Sequence, residues 1–155
     1  MRIKRTNDAD ENNQRKQLSH DKQFLADPKI EKEFGVKLKI IIDKTKRFDN
    51  EYSKHYSIEK KTITAFKKDI LEGNIYYDGP AGGDTHHLEK YSKDGIYHME
   101  SKCINTVDRL NYLVYPPRLK KNEETGELEY VQRVVLASCK GHYRYGVGTY
   151  SEIEE

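Results

Sequence analysis

The residues best suited to chemistry follow the last apolar run of the chain, where an imidazole and a phenol stand side by side. The run at residues 134–139 is followed by Lys140, Gly141, His142 and Tyr143. An imidazole and a phenol fixed at the end of a strand can transfer protons or stack on a nucleic-acid base. A His-Tyr pair is also common on ordinary protein surfaces, so its interpretation depends on the other polar residues that reach it.

Cationic side chains on the neighbouring predicted strands form a second group. Arg109 lies in the largely apolar run 107–115, where it either pairs with a neighbouring carboxylate or binds a phosphate bidentately. Lys102 lies on the preceding strand, and Lys140 ends the last strand. If these strands pair in a meander, the three cations meet near one end of the sheet. They would then suit a polyanion and stabilise the charge that develops during RNA cleavage; the alternative is a solvated basic face.

Two adjacent histidines, His86 and His87, stand at the start of the first strand of this meander. A zinc site that also uses His142 is disfavoured, because no Cys or carboxylate completes a ligand set at a recognisable spacing. We therefore expect no metal ion and no other cofactor. The alternative is two imidazoles near a bound phosphate, one as the base for a ribose 2′-hydroxyl and one as the acid for the leaving oxygen.

The elements that must position these residues are predicted from the spacing of apolar side chains. Alternation predicts a strand at residues 36–42, and apolar residues at helical spacing predict two helices, the second ending at Gly73. Further strands are predicted at residues 88–91, 96–104, 107–115 and 130–139. This order predicts an α+β domain whose helices pack on one face of an antiparallel meander.

The bulk composition favours one polar domain. The chain has 155 residues, of which 35% are charged, and its mean hydropathy is −0.99. A net charge of +2 is too small to indicate nucleic-acid binding by itself. The two cysteines, Cys103 and Cys139, match no metal spacing and suit a reducing cytosol. Because no apolar run is long enough for a signal peptide or a membrane span, we expect a cytoplasmic protein without a membrane partner.

Three motifs on the later strands match a known pattern. They are Ser101-Lys102-Cys103-Ile104, then Arg109-Leu110-Asn111-Tyr112, then Ala137-Ser138-Cys139-Lys140-Gly141-His142-Tyr143. Together they resemble the RelE superfamily of toxin–antitoxin toxins, and within it the YoeB/Txe group. The five-residue step from Ile104 to Arg109 and the strand–helix–helix order upstream also agree with that group. The resemblance covers about residues 36–143.

The resemblance implies a fold and an activity. The implied fold is RelE-like, with one N-terminal strand and two helices packed on a mostly antiparallel sheet of four to five strands. The implied activity is that of a ribosome-dependent endoribonuclease, which cuts mRNA in the ribosomal A site with the 2′-hydroxyl as nucleophile. A cognate antitoxin protein would hold such a toxin inactive.

The resemblance also implies roles for individual residues. Arg109 would stabilise transition-state charge, and His142 would act as the general acid. Tyr143 would orient the base or stack on it. Lys102 falls where the family has a phosphate-binding arginine. Lys140 is assigned to RNA binding from its expected place beside the other cations and not from the resemblance.

The position of the general base departs from the family pattern. The family's glutamate falls on His86 in this chain, and Asp84 and Glu89 are nearby alternatives. A protein of the same fold that does not cleave RNA therefore stays open as an alternative. It would be a gyrase inhibitor of the ParE kind or an inactive partner of an antitoxin.

The motifs divide the chain into three parts. Residues 1–34 are polar and predict a flexible or partly helical arm, with a partner-docking helix around residues 11–27 as the alternative. Residues 35–143 would form the toxin domain that the resemblance implies. Residues 144–155 form an acidic tail that could lie over a basic cleft as a pseudo-substrate.

Overall fold

The computed structural model describes residues 22–76, 85–88 and 92–141, which form an α+β arrangement of helices on a mixed six-stranded sheet. A short 3-10 helix, Lys22–Phe24, precedes the α-helices α1 (Pro28–Phe34), α2 (Lys46–Ser53) and α3 (Ser57–Leu71). The strands are β1 (Leu38–Lys44), β2 (Thr85–His87), β3 (His98–Cys103), β4 (Arg109–Val114), β5 (Arg118–Lys121) and β6 (Leu128–Ser138).

The longest strand, β6, organises the sheet because three other strands bond to it. β1 lies parallel to it, while β4 and β5 lie antiparallel to it. β3 and β2 continue the sheet beyond β4, so the strand order is β1-β6-β4-β3-β2, with β5 paired to β6 off this path. The apolar run Val134–Leu136 is fully buried, as expected for a central strand that is covered on both faces.

The two faces of the sheet bury different side chains. On the face that we call the helix side, Phe48 of α2 and Phe66 of α3 pack in one core with Leu110 and Leu136. The opposite face, which we call the second side, buries a smaller apolar group: Leu88, Tyr97, Met99, Leu113, Val135 and Ala137. Because side chains alternate along a strand, this division fixes the face that each residue of β3 and β4 occupies.

The side chain of Thr45 fixes the start of α2 against the end of β6. Its hydroxyl accepts a hydrogen bond from the N–H of Phe48 at 3.0 Å and donates one to the carbonyl of Ala137 at 2.8 Å. The first bond satisfies a backbone donor that the helix itself leaves unpaired. The second ties that helix end to the end of β6, where the third sequence motif begins (residues 137–143, called the closing motif below).

The α+β class predicted from the sequence is confirmed, but the sheet is larger than expected. It has six described strands rather than four to five, and β1 pairs with β6 in parallel. The additional strand is β5. The strand predicted at residues 88–91 is displaced, because β2 spans Thr85–His87 and ends before Leu88, while residues 89–91 lie outside the described residues. Three of the four residues of Arg118–Lys121 are basic, and the segment lies mostly exposed at the sheet edge. It therefore lacks the apolar alternation that would have predicted it.

The segment expected to be a flexible or partly helical arm, residues 1–34, is partly helical where the structure describes it, because the 3-10 helix and α1 lie within residues 22–34. Phe24 is 1% exposed, and its carbonyl accepts a hydrogen bond from the side-chain amide of Gln132 at 2.8 Å. A buried aromatic ring and a buried amide hydrogen bond thus attach this segment to β6. Residues 1–21 lie outside the described residues.

None of the helices in the described ranges combines the length and the apolar character that crossing a bilayer requires. The longest of them, α3, has 15 residues, whereas a spanning helix needs about 20 consecutive apolar residues.

Candidate functional site

A row of polar residues crosses four strands on the second side of the sheet. The register pairs His86 of β2 with Ser101 of β3, and Ser101 with Asn111 of β4. Asn111 pairs in turn with Ser138 of β6. Ser101, Asn111 and Ser138 are fully buried, whereas His86 is exposed on β2, the edge strand of the sheet. Since opposite residues in antiparallel strands lie about 4.5–5.5 Å apart, each member of the row is an immediate neighbour of the next.

A β-bulge brings Ser138 into this row. Tyr112 pairs with Leu136, but the preceding residue, Asn111, pairs with Ser138, so Ala137 is the extra residue of β6. The side-chain amide of Asn111 donates to the hydroxyl of Ser138 at 2.9 Å. The bulge therefore changes the direction of β6 at the first residues of the closing motif.

The side chain of Arg109 is held against Ser101 by two hydrogen bonds. Its Nε donates to the hydroxyl of Ser101 at 2.7 Å, and a terminal nitrogen donates to the carbonyl at 3.2 Å. Arg109 is only 9% exposed. The guanidinium is therefore fixed on the second side, beside the residue that pairs with His86.

The turn that follows β6 is bonded to the start of β4. The N–H of Arg109 donates to the carbonyl of Gly141 at 3.0 Å, and the N–H of Gly141 donates to the carboxylate of Asp108 at 2.8 Å. Gly141 has a φ of 74°, a conformation that side chains disfavour. These bonds hold the last described residue of the closing motif directly beside the backbone of Arg109.

Asp108 interacts with the other titratable side chains around this turn. Partial burial raises the pKa of its carboxyl group, but hydrogen bonds from the Gly141 N–H and the Asn105 amide lower it. Electrostatic interactions with His55 and Lys140 lower it further, and the resulting pKa lies below the ordinary value. Asp108 is therefore a carboxylate at neutral pH, and it interacts electrostatically with Lys140.

His55 supports the same turn from the helix side. It is buried, and its Nε2 lies 2.6 Å from the carbonyl of Cys139, so this nitrogen carries the proton and donates. The carboxylate of Glu51 accepts the N–H of Cys139 at 2.8 Å. Both backbone polar groups of Cys139 are therefore bound by side chains from the helical segment, which fixes the path of the chain before Lys140.

Lys102 does not join Arg109, which corrects the expected grouping of cations. The register pairs Lys102 with Leu110 and Thr85, which places it on the helix side. Lys102 is 2% exposed, and its Nζ lies 4.6 Å from the ring centre of Phe66. The reason is the alternation of side chains along β3, which turns Ser101 rather than Lys102 toward Arg109.

The other expected site residues are placed only in part. His86 lies on the second side, as its proposed role beside Arg109 requires, and Lys140 is half-buried near Asp108. The remaining expected residues, His142 and Tyr143 together with the alternative bases Asp84 and Glu89, lie outside the described residues, as does the tail at 144–155.

The two adjacent histidines separate onto opposite faces. His87 lies on the helix side, where its Nδ1 is 2.6 Å from a carboxylate oxygen of Glu100. His87, His98 and Glu100 bring their potential ligand atoms within 4.8 Å of one another. Two imidazoles and a carboxylate are donors that transition metals accept. The expectation of no metal site rested on His86, His87 and His142. The group seen in the structure instead combines His87 with His98 and Glu100 of β3.

Four residues of this region were assigned no function from the sequence, namely Ser101, Asn111, Ser138 and His55. The period of two along a strand could have identified Asn111, because it follows Arg109 by two residues and so shares its face. No local signal identifies His55, which contacts a residue 84 positions away.

No protein-family model, no curated protein and no solved structure matches this chain. Its motifs and the geometry of the second side are therefore the basis for assigning a function.

Proposed function

We propose that this protein is a cytoplasmic RelE-like toxin that cleaves mRNA on the ribosome, without a catalytic metal ion, and that a cognate antitoxin holds inactive. The observation that carries the proposal is the arrangement around Arg109. Its guanidinium is bonded to Ser101 beside His86, and its backbone is bonded to Gly141, the residue that precedes His142.

A fixed guanidinium is what phosphoryl chemistry requires at this position. The two bonds to Ser101 hold the planar group of Arg109 before any substrate arrives. A preorganised cation stabilises developing negative charge without reorganising at the moment of reaction. Arg109 would therefore neutralise the charge that grows on the phosphate oxygens in the transition state.

The backbone bond between Arg109 and Gly141 supports the role of His142 as the acid. Because the Gly141 carbonyl accepts from the Arg109 N–H, the proposed acid follows directly on a residue bonded to the proposed electrostatic group. The bonds from His55 and Glu51 to Cys139 keep this turn in place.

The proposed reaction uses one neutral and one protonated imidazole. The ribose 2′-oxygen attacks the adjacent phosphorus while neutral His86 accepts the hydroxyl proton. The bond from phosphorus to the 5′-oxygen breaks, and protonated His142 donates its proton to that oxygen. The products are a 2′,3′-cyclic phosphate and a 5′-hydroxyl end. Histidine suits both roles because it is the side chain that most often serves as a general acid or base.

The burial of Arg109 favours a second candidate, a non-cleaving binding protein of the same fold. An arginine that is 9% exposed and bonded to a neighbouring strand also serves as a structural link between β4 and β3. In that case the protein would act by binding, either as a gyrase inhibitor or as an inactive antitoxin partner.

Induced expression in a bacterial host, with mapping of the 5′ ends of translated messages, tests the proposal. We expect growth arrest and new 5′ ends inside codons for the wild type, and neither for His142→Ala at equal protein level. Lys120→Ala, an exposed change on β5, is the matched control and should behave like the wild type.

Each other outcome would change the assigned function or the assigned mechanism. Arrest without new 5′ ends would support a gyrase-type inhibitor. Absence of arrest with the wild type would support an inactive binding protein. Cleavage that persists in His142→Ala would remove His142 from the mechanism.

A further inference from the structure

The helix side of strands β2 and β3 holds a second group of titratable residues, separate from the polar row. His87 of β2 pairs in register with Glu100 of β3, and His98 lies two residues before Glu100 on the same face. The three residues therefore converge from two neighbouring strands. None of them takes part in the proposed cleavage reaction.

The geometry of this group is compact. The Nδ1 of His87 lies 2.6 Å from a carboxylate oxygen of Glu100, and the ring centres of His87 and His98 lie 4.7 Å apart. One ligand atom from each of the three residues lies within 4.8 Å of the other two. A tetrahedral ion with bonds of about 2.1 Å holds its ligand atoms about 3.4 Å apart, so small side-chain rotations suffice.

The surroundings keep the group in place. Glu100 is 1% exposed and His98 is 4% exposed, while the side chain of His87 is 13% exposed. The ring of Phe24 stacks on His98 with centres 3.8 Å apart and planes inclined by 21°. Packing therefore restricts the rotamers of two ligands, and the partly exposed third gives an ion a route from solvent.

We propose that His87, His98 and Glu100 bind a divalent transition-metal ion, with zinc as the best match to two imidazoles and one carboxylate. Three protein ligands leave one position of a tetrahedral ion for water or another oxygen. The ion would replace the hydrogen bond between His87 and Glu100 and join β2 to β3. Because His86 directly precedes His87 on β2 and faces the opposite side of the sheet, the ion would also restrain the position of the proposed base.

Titration of the full-length, chelator-treated protein with Co²⁺ tests this site, because Co²⁺ reports its coordination through visible absorption. We expect one equivalent to bind with the strong bands of a four-coordinate site, and Zn²⁺ to displace it. Glu100→Gln and His98→Gln should each weaken binding by at least about 10- to 100-fold, the loss that removing even an outer-shell partner causes.

Matched controls separate this site from other ligands on the chain. His86→Gln changes the adjacent histidine on the opposite face, and Cys103→Ser removes a half-buried thiol. Both should bind Co²⁺ like the wild type. Circular dichroism of each metal-free variant shows whether it is folded, and Glu100→Gln keeps nearly the same volume in case His98→Gln unfolds.

Two results would overturn the proposal. One is the absence of a saturable Co²⁺ spectrum with the folded wild-type protein. The other is unchanged Co²⁺ affinity in folded Glu100→Gln. Either result would leave the group as a hydrogen-bonded pair of side chains with a stacked histidine. A thermal unfolding series provides a second readout, because an ion that binds only the folded state raises Tm with its concentration.

Discussion

Arg109 and Ser101 form a bidentate contact across two strands, in which the guanidinium donates to both the hydroxyl and the carbonyl of the serine. Ser101 is also the residue that pairs with His86. One buried serine therefore connects the proposed electrostatic group with the strand that carries the proposed base.

We predict that Ser101→Ala destabilises the protein and reduces cleavage. The change removes the hydroxyl acceptor of a buried, charged donor, for which the expected loss is about 1.5–3 kcal/mol in the free energy of unfolding. Urea unfolding measures this loss. Ser53→Ala is the control, because its hydroxyl bonds to the Asn50 carbonyl at an exposed helix end and should lose less than about 1 kcal/mol. Equal losses in the two variants would contradict the role of the Ser101 hydroxyl.

Asp108→Asn should make stability less dependent on pH in the acid range. Its pKa in the folded protein is lower than the ordinary value of 3.8, so the ionised form is favoured by folding. The resulting stability is fully present above about pH 4 and is lost as pH falls through the folded pKa. Urea unfolding from pH 7 to pH 3 should therefore show a wild-type advantage that shrinks toward pH 3. A constant difference between wild type and variant would mean that the charge of Asp108 does not stabilise the turn.

The two thiols should differ in reactivity. Burial raises the pKa of Cys139 to about 12, and the negative charges of Glu51 and Asp108 add to this effect, so the thiol is protonated at pH 8. Cys103 is only half-buried. A disulfide reagent at pH 8 should titrate one thiol in the native protein and two after denaturation. Cys103→Ser should lower the native count to zero, and rapid labelling of that variant would refute the assigned burial of Cys139.

Lys102→Ala should act on stability through the packing of its methylene groups. Lys102 is buried with its Nζ over the ring of Phe66, and the change removes three methylene groups worth about 0.8 kcal/mol each. We expect a loss of about 2 kcal/mol in urea unfolding, against less than about 0.5 kcal/mol for the exposed Lys120→Ala. If Lys102→Ala instead unfolds like the wild type but binds RNA more weakly, Lys102 contacts phosphate after all.

The sequence predicted the helices and strands whose signal is carried by residues close together in the chain. Apolar spacing predicted the first strand, both main helices and the strands that became β3, β4 and β6, because each buries a periodic set of side chains. β5 escaped prediction since its charged residues bury little. The site depends on relations between distant positions, and for these a single chain carries weak signals. Lys102 was assigned from its place in a motif, although the alternation along β3 turns Ser101 toward Arg109.

The parallel pairing of β1 with β6 has a consequence for how the chain folds. The register pairs Leu38 with Tyr130. The first described strand, β1, therefore cannot pair until the last one, β6, has been synthesised. β4 lies between β3 and β6, so one of its edges also stays unpaired until β6 has been synthesised. Closing such a long loop is entropically unfavourable before its contacts form, which slows folding. During synthesis, α2 and α3 would therefore cover no complete sheet, and the proposed nuclease would have no assembled site until β6 and the turn after it had left the ribosome that made it.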